Sequence, residues 1–511
     1  MGTLSENISL YMHWSPFLIL ALICLKCVLA IIRAIKSPLS KIPGPWYAPL
    51  TTLHLKYAFA RGTIWKNVEE AHLKYGSIFR LGPRQIWISD KEALKVILMT
   101  VDLPKVTISA DMESFGSHSR PDPHKRLKKF LSPAFTIAYV DKLEFLFSKC
   151  VSDLISRYVD LLTCFPSSER KIPMTTDLME DLHNLALDIM GECSFGNGFG
   201  QTNKNKNLEL EFDEGVWKRI PMAIFRGMTR RYQFVYIKRL LRSLAFNVEF
   251  DWPREMIAAI SAVADRRRAY PTNVRPDLLQ HLLDNGERPD SGVKMGIREV
   301  IDQMAEILLA GSETTSGTIA CFFLEVLRNP AVKEKLMTTL PVRNPNDPII
   351  SSKTVRMGPE YEYLEACIKE VLRLHPIASE MGRRIGNSPV ELLGYYLPAH
   401  TIVSASYRQL HRNPQHWPEP LRFWPERWLE PRPHDVPAPD THAYYPFSAG
   451  KHSCIGKNFA MAEIRMLTAN ILSRFDFDEV PGQNIDYRQY ITMQFEHGSW
   501  KVYLKPRYLR S

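Results

Sequence analysis

From Arg298 to Leu327 the chain holds a helical pattern for about thirty residues, unusually long for a globular protein. Its middle, AGSETTSGT, is rich in small and polar residues that weaken helices, Gly311 and Gly317 among them. Long helical patterns fill most of Lys91 to Asn329, broken near Pro121-Asp122-Pro123 and around Gly196–Gly200. The glycines at 196, 198 and 200 follow GxGxG with no strand leading in, so they mark a turn and not a dinucleotide fingerprint. Strand patterns are short: a hairpin over Gly76–Ser89 around Gly82-Pro83, then Val390–Leu397 and Thr401–Ser404, separated by Pro398. Between Pro418 and Pro439 seven prolines are interleaved with Phe423, Trp424 and Trp428, which a solvated linker would not carry. That stretch reads as a packed, irregular meander. No Gly/Ser-rich or low-complexity linker divides the 511 residues, so the expected fold is one large, mainly α domain with a small β lobe.

A composition of 45% hydrophobic and 23% charged residues excludes disorder, collagen-like repeats and coiled coil. The net charge of +10 points to anionic partners. No nucleic-acid motif appears, which leaves a membrane surface or an acidic protein. Of eight cysteines only Cys24 and Cys27 are spaced CxxC, and they lie in an apolar run, so neither a redox pair nor a disulfide framework is expected.

That apolar run, Ser15 to Ile32, carries one charge, Lys26, and has the ~18–20 residues that a membrane-crossing helix needs. A central lysine costs roughly 2.5–3.5 kcal/mol on insertion. No Lys or Arg precedes the run, whereas Arg33, Lys36 and Lys41 follow it, which places the C-terminal side in the cytosol. The expected layout is a short lumenal segment (1–14) with a glycosylation sequon at Asn7, a transmembrane anchor (15–36), a proline-rich hinge (37–50) and a catalytic domain (51–511).

The chemistry concentrates in Pro446–Ala460, PFSAGKHSCIGKNFA. Cys454 stands between Gly450 and Gly456, ahead of an amphipathic helix, Asn458–Leu472. Backbone N–H groups and the helix dipole at such a place favour a thiolate, and glycines let a planar group approach. A thiolate on haem iron favours O–O cleavage. On its own a Cys-x-Gly is more often a small buried hydrophobe.

The full pattern is specific. Phe447, Gly450, His452, Cys454 and Gly456 fit FxxGx(R/H)xCxG, which resembles the haem loop of the cytochrome P-450 family. In family order, Glu370 and Arg373 of KEVLRLHP resemble its ExxR, Arg427 of FWPERW the arginine that joins that pair, and Ala310–Thr315 its (A/G)Gx(D/E)T(T/S). The general style, IPGPWYAP included, is similar to fungal secondary-metabolite members of the microsomal, membrane-anchored type.

The resemblance implies the cytochrome P-450 fold behind an N-terminal transmembrane helix, and haem b held by Cys454. It implies a buried structural network of Glu370, Arg373 and Arg427, where the i, i+3 spacing alone would suggest a solvated pair. Glu313 and Thr314 would be an acid–alcohol pair for oxygen activation, with Gly311 and Ser312 letting the helix open locally; alone, Thr314 would simply back-bond to Ala310. His124, Lys128, Arg384 and His452 would hold the haem propionates, with Arg383 competing for the place of Arg384. Phe447, Gly450 and Gly456 would shape the haem loop. Phe115, Met222, Phe225, Ile377, Met493 and Phe495 would contact a lipophilic small-molecule substrate, ordinary core packing being the alternative for each. The implied reaction inserts one atom of O2, as a hydroxylation or epoxidation in terpenoid or polyketide biosynthesis. Since the chain has no flavin or nicotinamide fingerprint, electrons would come from an NADPH-dependent cytochrome P-450 reductase, with cytochrome b5 as a second donor, at the endoplasmic reticulum membrane. The competing readings are a reductase-independent peroxide isomerase or dehydratase of the same fold, and a non-catalytic haem sensor.

Overall fold

The structure, a computed structural model, describes Ala21 and residues 24–105, 128–129, 131–163, 173–196, 198–202, 243–244, 252, 254–270, 277–286 and 292–507. Residues 24–36 are helical, with Leu25, Val28, Ile31, Ile32 and Ile35 exposed. The rest of the expected anchor, and Asn7, lie outside the described residues. The hinge that follows is fixed to the body, because the Pro43 carbonyl accepts from Arg80 N–H at 2.8 Å.

Helices form the bulk. Five position the site: α1 (Ile137–Thr163), α2 (Leu178–Phe195), α3 (Ile297–Arg328), α4 (Glu362–Leu374) and α5 (Lys457–Arg474). The thirty-residue pattern becomes the 32 residues of α3, started by Glu299, whose carboxylate accepts from Gly296 N–H at 2.7 Å. Among the described residues α3 is the one helix long and apolar enough to cross a membrane, but 78% of its apolar window is buried inside the protein. A helix apolar on all sides belongs at the centre of a large domain. There α3 packs against α2, α4 and α5, and α1 packs against α2 and α5. The turn at the glycines is also found: Gly196 caps α2 with φ +73°.

The β lobe is built on four strands ordered β1 (Ile78–Gly82), β2 (Gln85–Ile88), β7 (Ile402–Ala405), β4 (Met381–Arg384). The expected hairpin is β1–β2, with Ile78 opposite Ile88. β2 runs parallel to β7, and β7 antiparallel to β4, with Arg383 opposite Val403 and Arg384 opposite Ile402. Val390–Leu397 splits into a hairpin of β5 (Val390–Leu392) and β6 (Tyr395–Leu397). Two further sheets follow: β3 (Thr175–Asp177), from far earlier in the chain, joins β11 (Lys501–Pro506) and β8 (Phe475–Glu479), and β9 (Tyr487–Gln489) forms a local hairpin with β10 (Met493–Phe495). The proline-rich meander is packed, with Phe423 and Trp424 buried and Trp428 half-buried.

Candidate active site

The loop before α5 is shaped by its glycine at 450. Gly450 has φ +71°, and a Cβ there would stand 1.9 Å from the Leu98 carbonyl oxygen. Only a residue without a side chain fits that contact. The chain then makes a short 3-10 turn, Gly450–His452, and returns: Ser453 N–H reaches the Gly450 carbonyl at 3.1 Å and Cys454 N–H the Phe447 carbonyl at 2.9 Å. His452 is buried, and Phe447 is half-buried against the main core. Cys454 follows this turn as an exposed residue whose thiol is nonetheless crowded by the surrounding protein.

That enclosure corrects one expectation. Burial raises the Cys454 thiol above its ordinary range, and it outweighs the lowering by the Gly456 N–H and by Lys105, Lys128 and Lys457. The helix start and the cations act in the expected direction without prevailing. A bound metal ion would invert the balance, because a coordinating thiol is deprotonated outright.

Cations converge on the sulfur. Lys105 pairs with Arg383 in an isolated antiparallel bridge, and its ammonium is pushed down to about 8 by burial and then by Arg383, with Glu306 and Cys454 opposing. Arg383 is fully buried; its Nη1 donates to the Leu103 carbonyl at 3.3 Å, and its guanidinium lies against the Tyr407 hydroxyl. Two enclosed cations side by side disfavour each other's charge, so this pair fits an anionic group such as a haem carboxylate. Lys128 serves the loop itself, donating to the carbonyls of Lys451 (2.7 Å) and Ser453 (3.2 Å). Arg384 holds its place in β4, but its side chain, like the whole of His124, lies outside the described residues.

Along α3 four hydroxyls bond back to their own helix: Ser312 to Leu308, Thr314 to Ala310, Ser316 to Ser312 and Thr318 to Thr314, at 2.6–2.9 Å. Glu313 is buried and Thr314 partly exposed. The helix stays helical from residue 297 to 328, so Gly311 does not open it. Its missing side chain instead admits Met190 of α2, whose Sδ would stand 2.3 Å from a Cβ.

The network on α4 is complete. Arg373 donates Nε and Nη2 to the two oxygens of Glu370 at 2.9 and 2.8 Å, and Nη1 to the carbonyls of His411 and Pro420 at 2.7 Å. Trp424 N–H and Trp428 Nε1–H reach the same carboxylate at 3.1 and 2.9 Å, and Arg427 Nε stands 3.5 Å away. Glu370, Arg373 and Arg427 are each fully buried. His411 carries the network to the Cys454 loop: Nδ1 donates to the Arg373 carbonyl at 3.1 Å and Nε2 accepts from Tyr445 N–H at 2.7 Å. Burial and Arg373 push His411 down to about 3, which keeps it the neutral, Nδ1-protonated tautomer those bonds require.

Of the expected substrate contacts, Phe115, Met222 and Phe225 lie outside the described residues. Ile377 and Met493 come together through Met493 N–H and the Ile377 carbonyl, 2.9 Å. Met493 and Phe495 are buried, Met493 against Arg408 Nη1 at 3.6 Å and Phe495 against the rings of Tyr487 and Trp500. Sequence reasoning passed over Lys105, His411 and Gln494.

Comparison with known proteins agrees with this geometry. The family model described as cytochrome P-450 matches residues 42–500. The cytochrome P-450 monooxygenase FUS8 of Gibberella fujikuroi is 29% identical over 493 residues, covering 93% of this chain and 90% of the relative. The cytochrome P-450 monooxygenase acrD of Aspergillus aculeatus is 30% identical over 466 residues (88% and 87%), and cytochrome P-450 3A6 of Oryctolagus cuniculus 27% over 456 (85% of each). An enclosed cysteine on a glycine-shaped loop, a buried Glu–Arg–Arg network behind it and a family match across nearly the whole length converge on one assignment: this chain belongs to the cytochrome P-450 family of monooxygenases.

Proposed function

We propose that the protein inserts one oxygen atom from O2 into a lipophilic small molecule of secondary metabolism, a terpenoid or polyketide, by hydroxylation or epoxidation. Haem b would be held by Cys454, with its carboxylates on Arg383 and Lys105, beside Lys128, His452, His124 and Arg384. The observation that carries this reading is the exposed Cys454 on its glycine-shaped loop, with Lys105, Lys128 and Lys457 close enough to favour its thiolate. When bound, the haem supplies the redox centre at which O2 is activated.

The chain's own residues supply the rest. Phe447 and the glycines fix the loop and keep the sulfur at one place. The network of Glu370, Arg373 and Arg427, through His411, holds that loop from behind. Glu313 and Thr314 would handle protons: the buried carboxyl would relay them, and the hydroxyl would hold the group that delivers them. Electrons come from an NADPH-dependent cytochrome P-450 reductase, with cytochrome b5 as a second donor, docking on the basic side of the chain. Residues 15–36 span the endoplasmic reticulum membrane once, with the catalytic part in the cytosol; the exposed apolar side chains from Leu25 to Ile35 support this.

The test is spectroscopic. Reduced protein under carbon monoxide is expected to show the red-shifted Soret band of thiolate ligation, and Cys454→Ser to lose it. Retention of that band by Cys454→Ser overturns the reading. Turnover without reductase would replace it by the peroxide-isomerase alternative.

A further inference from the structure

The three residues of β10 face two different surroundings. Met493 and Phe495 turn into the core, and strand alternation sends Gln494 the other way. There its Nε2 donates to the main-chain carbonyl of Glu313 at 2.5 Å, across 181 positions of sequence. Gln494 is only 4% exposed, and its Oε1 is buried with no hydrogen-bond partner. The contact depends on residue 317 having no side chain. A Cβ on Gly317 would stand 2.6 Å from Nε2 and 3.0 Å from Oε1 of Gln494.

A helical carbonyl at 313 is served by the N–H four residues on, and the Ser316 hydroxyl also comes within 3.4 Å of it. A donor arriving from a distant strand adds a fixed external point. One residue away, Met493 N–H is bonded to the Ile377 carbonyl at 2.9 Å. The 490–495 turn therefore joins the segment around Ile377 directly to the turn of α3 that carries Glu313 and Thr314.

We propose that Gln494 is a positioning residue for the oxygenation reaction, its amide clamping the Glu313 carbonyl through the gap left by Gly317. This rests on the reading of Glu313 and Thr314 as the proton-handling pair. The clamp fixes where that pair stands relative to the turn and to Ile377. A substrate pressing on Ile377 or the turn is thereby sensed at Glu313, so proton supply is tied to substrate occupancy.

The experiment uses the full chain with its reductase and compares Gln494→Met, which keeps length and loses the donor, with Gly317→Ala, which drives the amide out from the other side. Haem content and the thiolate band under carbon monoxide are expected to stay at wild-type values. Product formed per NADPH should fall roughly 2- to 10-fold, the size of effect one hydrogen bond carries, with matching release of hydrogen peroxide and little change in KM. Amide hydrogen exchange over residues 313–318 should quicken in both. Since both changes break one contact, the double variant should be no worse than either single one. Thr314→Ala serves as the reference for a disturbed relay. If Thr314→Ala releases peroxide while both new variants stay coupled, the clamp is refuted and the relay stands. If Thr314→Ala stays fully coupled, the relay reading falls and takes the clamp with it. Additive losses in the double variant, or loss of the haem band in both single variants, make the contact one of folding alone and overturn the proposal.

Discussion

Replacing Glu370 by Gln removes a charge and almost nothing of the shape, which makes it a sharp test of what the buried network does. Oε1 accepts from Arg373 Nη2 and Trp424 N–H, and Oε2 from Arg373 Nε and Trp428 Nε1–H. Whichever oxygen becomes an amide nitrogen, two donors then face a donor. Each stranded buried donor costs about 1–3 kcal/mol. The two guanidiniums, Arg373 and Arg427, also lose their shared counter-charge, and breaking a buried pair costs about 3–5 kcal/mol. These costs overlap, so the expected loss is ~5 kcal/mol, comparable to the low end of the roughly 5–15 kcal/mol that holds a native state. At about 2.1 cal/mol/K of unfolding entropy per residue, a chain of this length should melt ~5 °C lower. The assay is haem per chain after purification, together with the temperature at which the carbon monoxide band is lost. Glu370→Gln should emerge haem-poor and thermally weakened, and Glu370→Asp should lie between it and the wild type. A haem-replete Glu370→Gln protein that melts with the wild type yet turns nothing over would refute a structural role and move the network into the chemistry.

Gly450→Ala combines an unfavourable positive φ with a Cβ 1.9 Å from the Leu98 carbonyl, so it should displace the Cys454 loop and lower haem content severalfold; unchanged haem loading would contradict the loop geometry. Burial raises Glu380 from 4.5 to about 7, with the Ser406 and Ser379 hydroxyls opposing. Its folded pKa lies above the unfolded one, so the stability carried by the neutral form is complete below about pH 4.5 and is lost as pH rises through 7. At ~1.4 kcal/mol per unit that is about 3 kcal/mol; Glu380→Gln should flatten the decline in melting temperature between pH 5 and 7, and an unaltered slope would point to another group. Deleting residues 1–36 should release the protein from membranes with its carbon monoxide band intact, and retention after a mild salt wash would reveal a second membrane contact.

Periodicity made the helices legible: α3 was readable nearly to its ends because thirty residues of one period leave little freedom. The β1–β2 hairpin was equally plain from Gly82-Pro83, since its signal is local. What escaped was long-range. The sheet β3–β11–β8 sets Thr175–Asp177 beside a strand hundreds of residues later, and a three-residue strand such as β3 carries too few alternations to announce a partner. In the site, the residues that sequence could name are those tied to a dense motif, Cys454, Glu370 and Arg373 above all. Arg383 and Arg384 are adjacent and chemically identical, and only the folded surroundings show that Arg383 is buried beside Lys105. Lys105 and Gln494 matter through what they meet, Arg383 in one case and Glu313 in the other, and no local pattern marks either. The thiol of Cys454 shows the same limit in energetic form. Helix start and lysines are visible in a sequence, but the burial that outweighs them is a property of the whole fold.

Thr314 is the place where the plain and the functional readings of the sequence meet. Its hydroxyl proton is committed to the Ala310 carbonyl at 2.6 Å, as the plain reading of a threonine inside a helix requires. A hydroxyl has one proton and two lone pairs. With the proton spent on its own helix, what Thr314 offers the site is an acceptor, and an acceptor holds a donor in place; it does not itself donate. Protons must then originate elsewhere, and the nearest acid in sequence is Glu313, whose carbonyl is held by Gln494. On the proposed reading the alcohol would fix where a proton is delivered, the acid would set whether one is available, and the strand contact would hold both against the 490–495 turn. Back-bonding, which taken alone would demote Thr314 to an ordinary helical residue, is what gives it a single orientation.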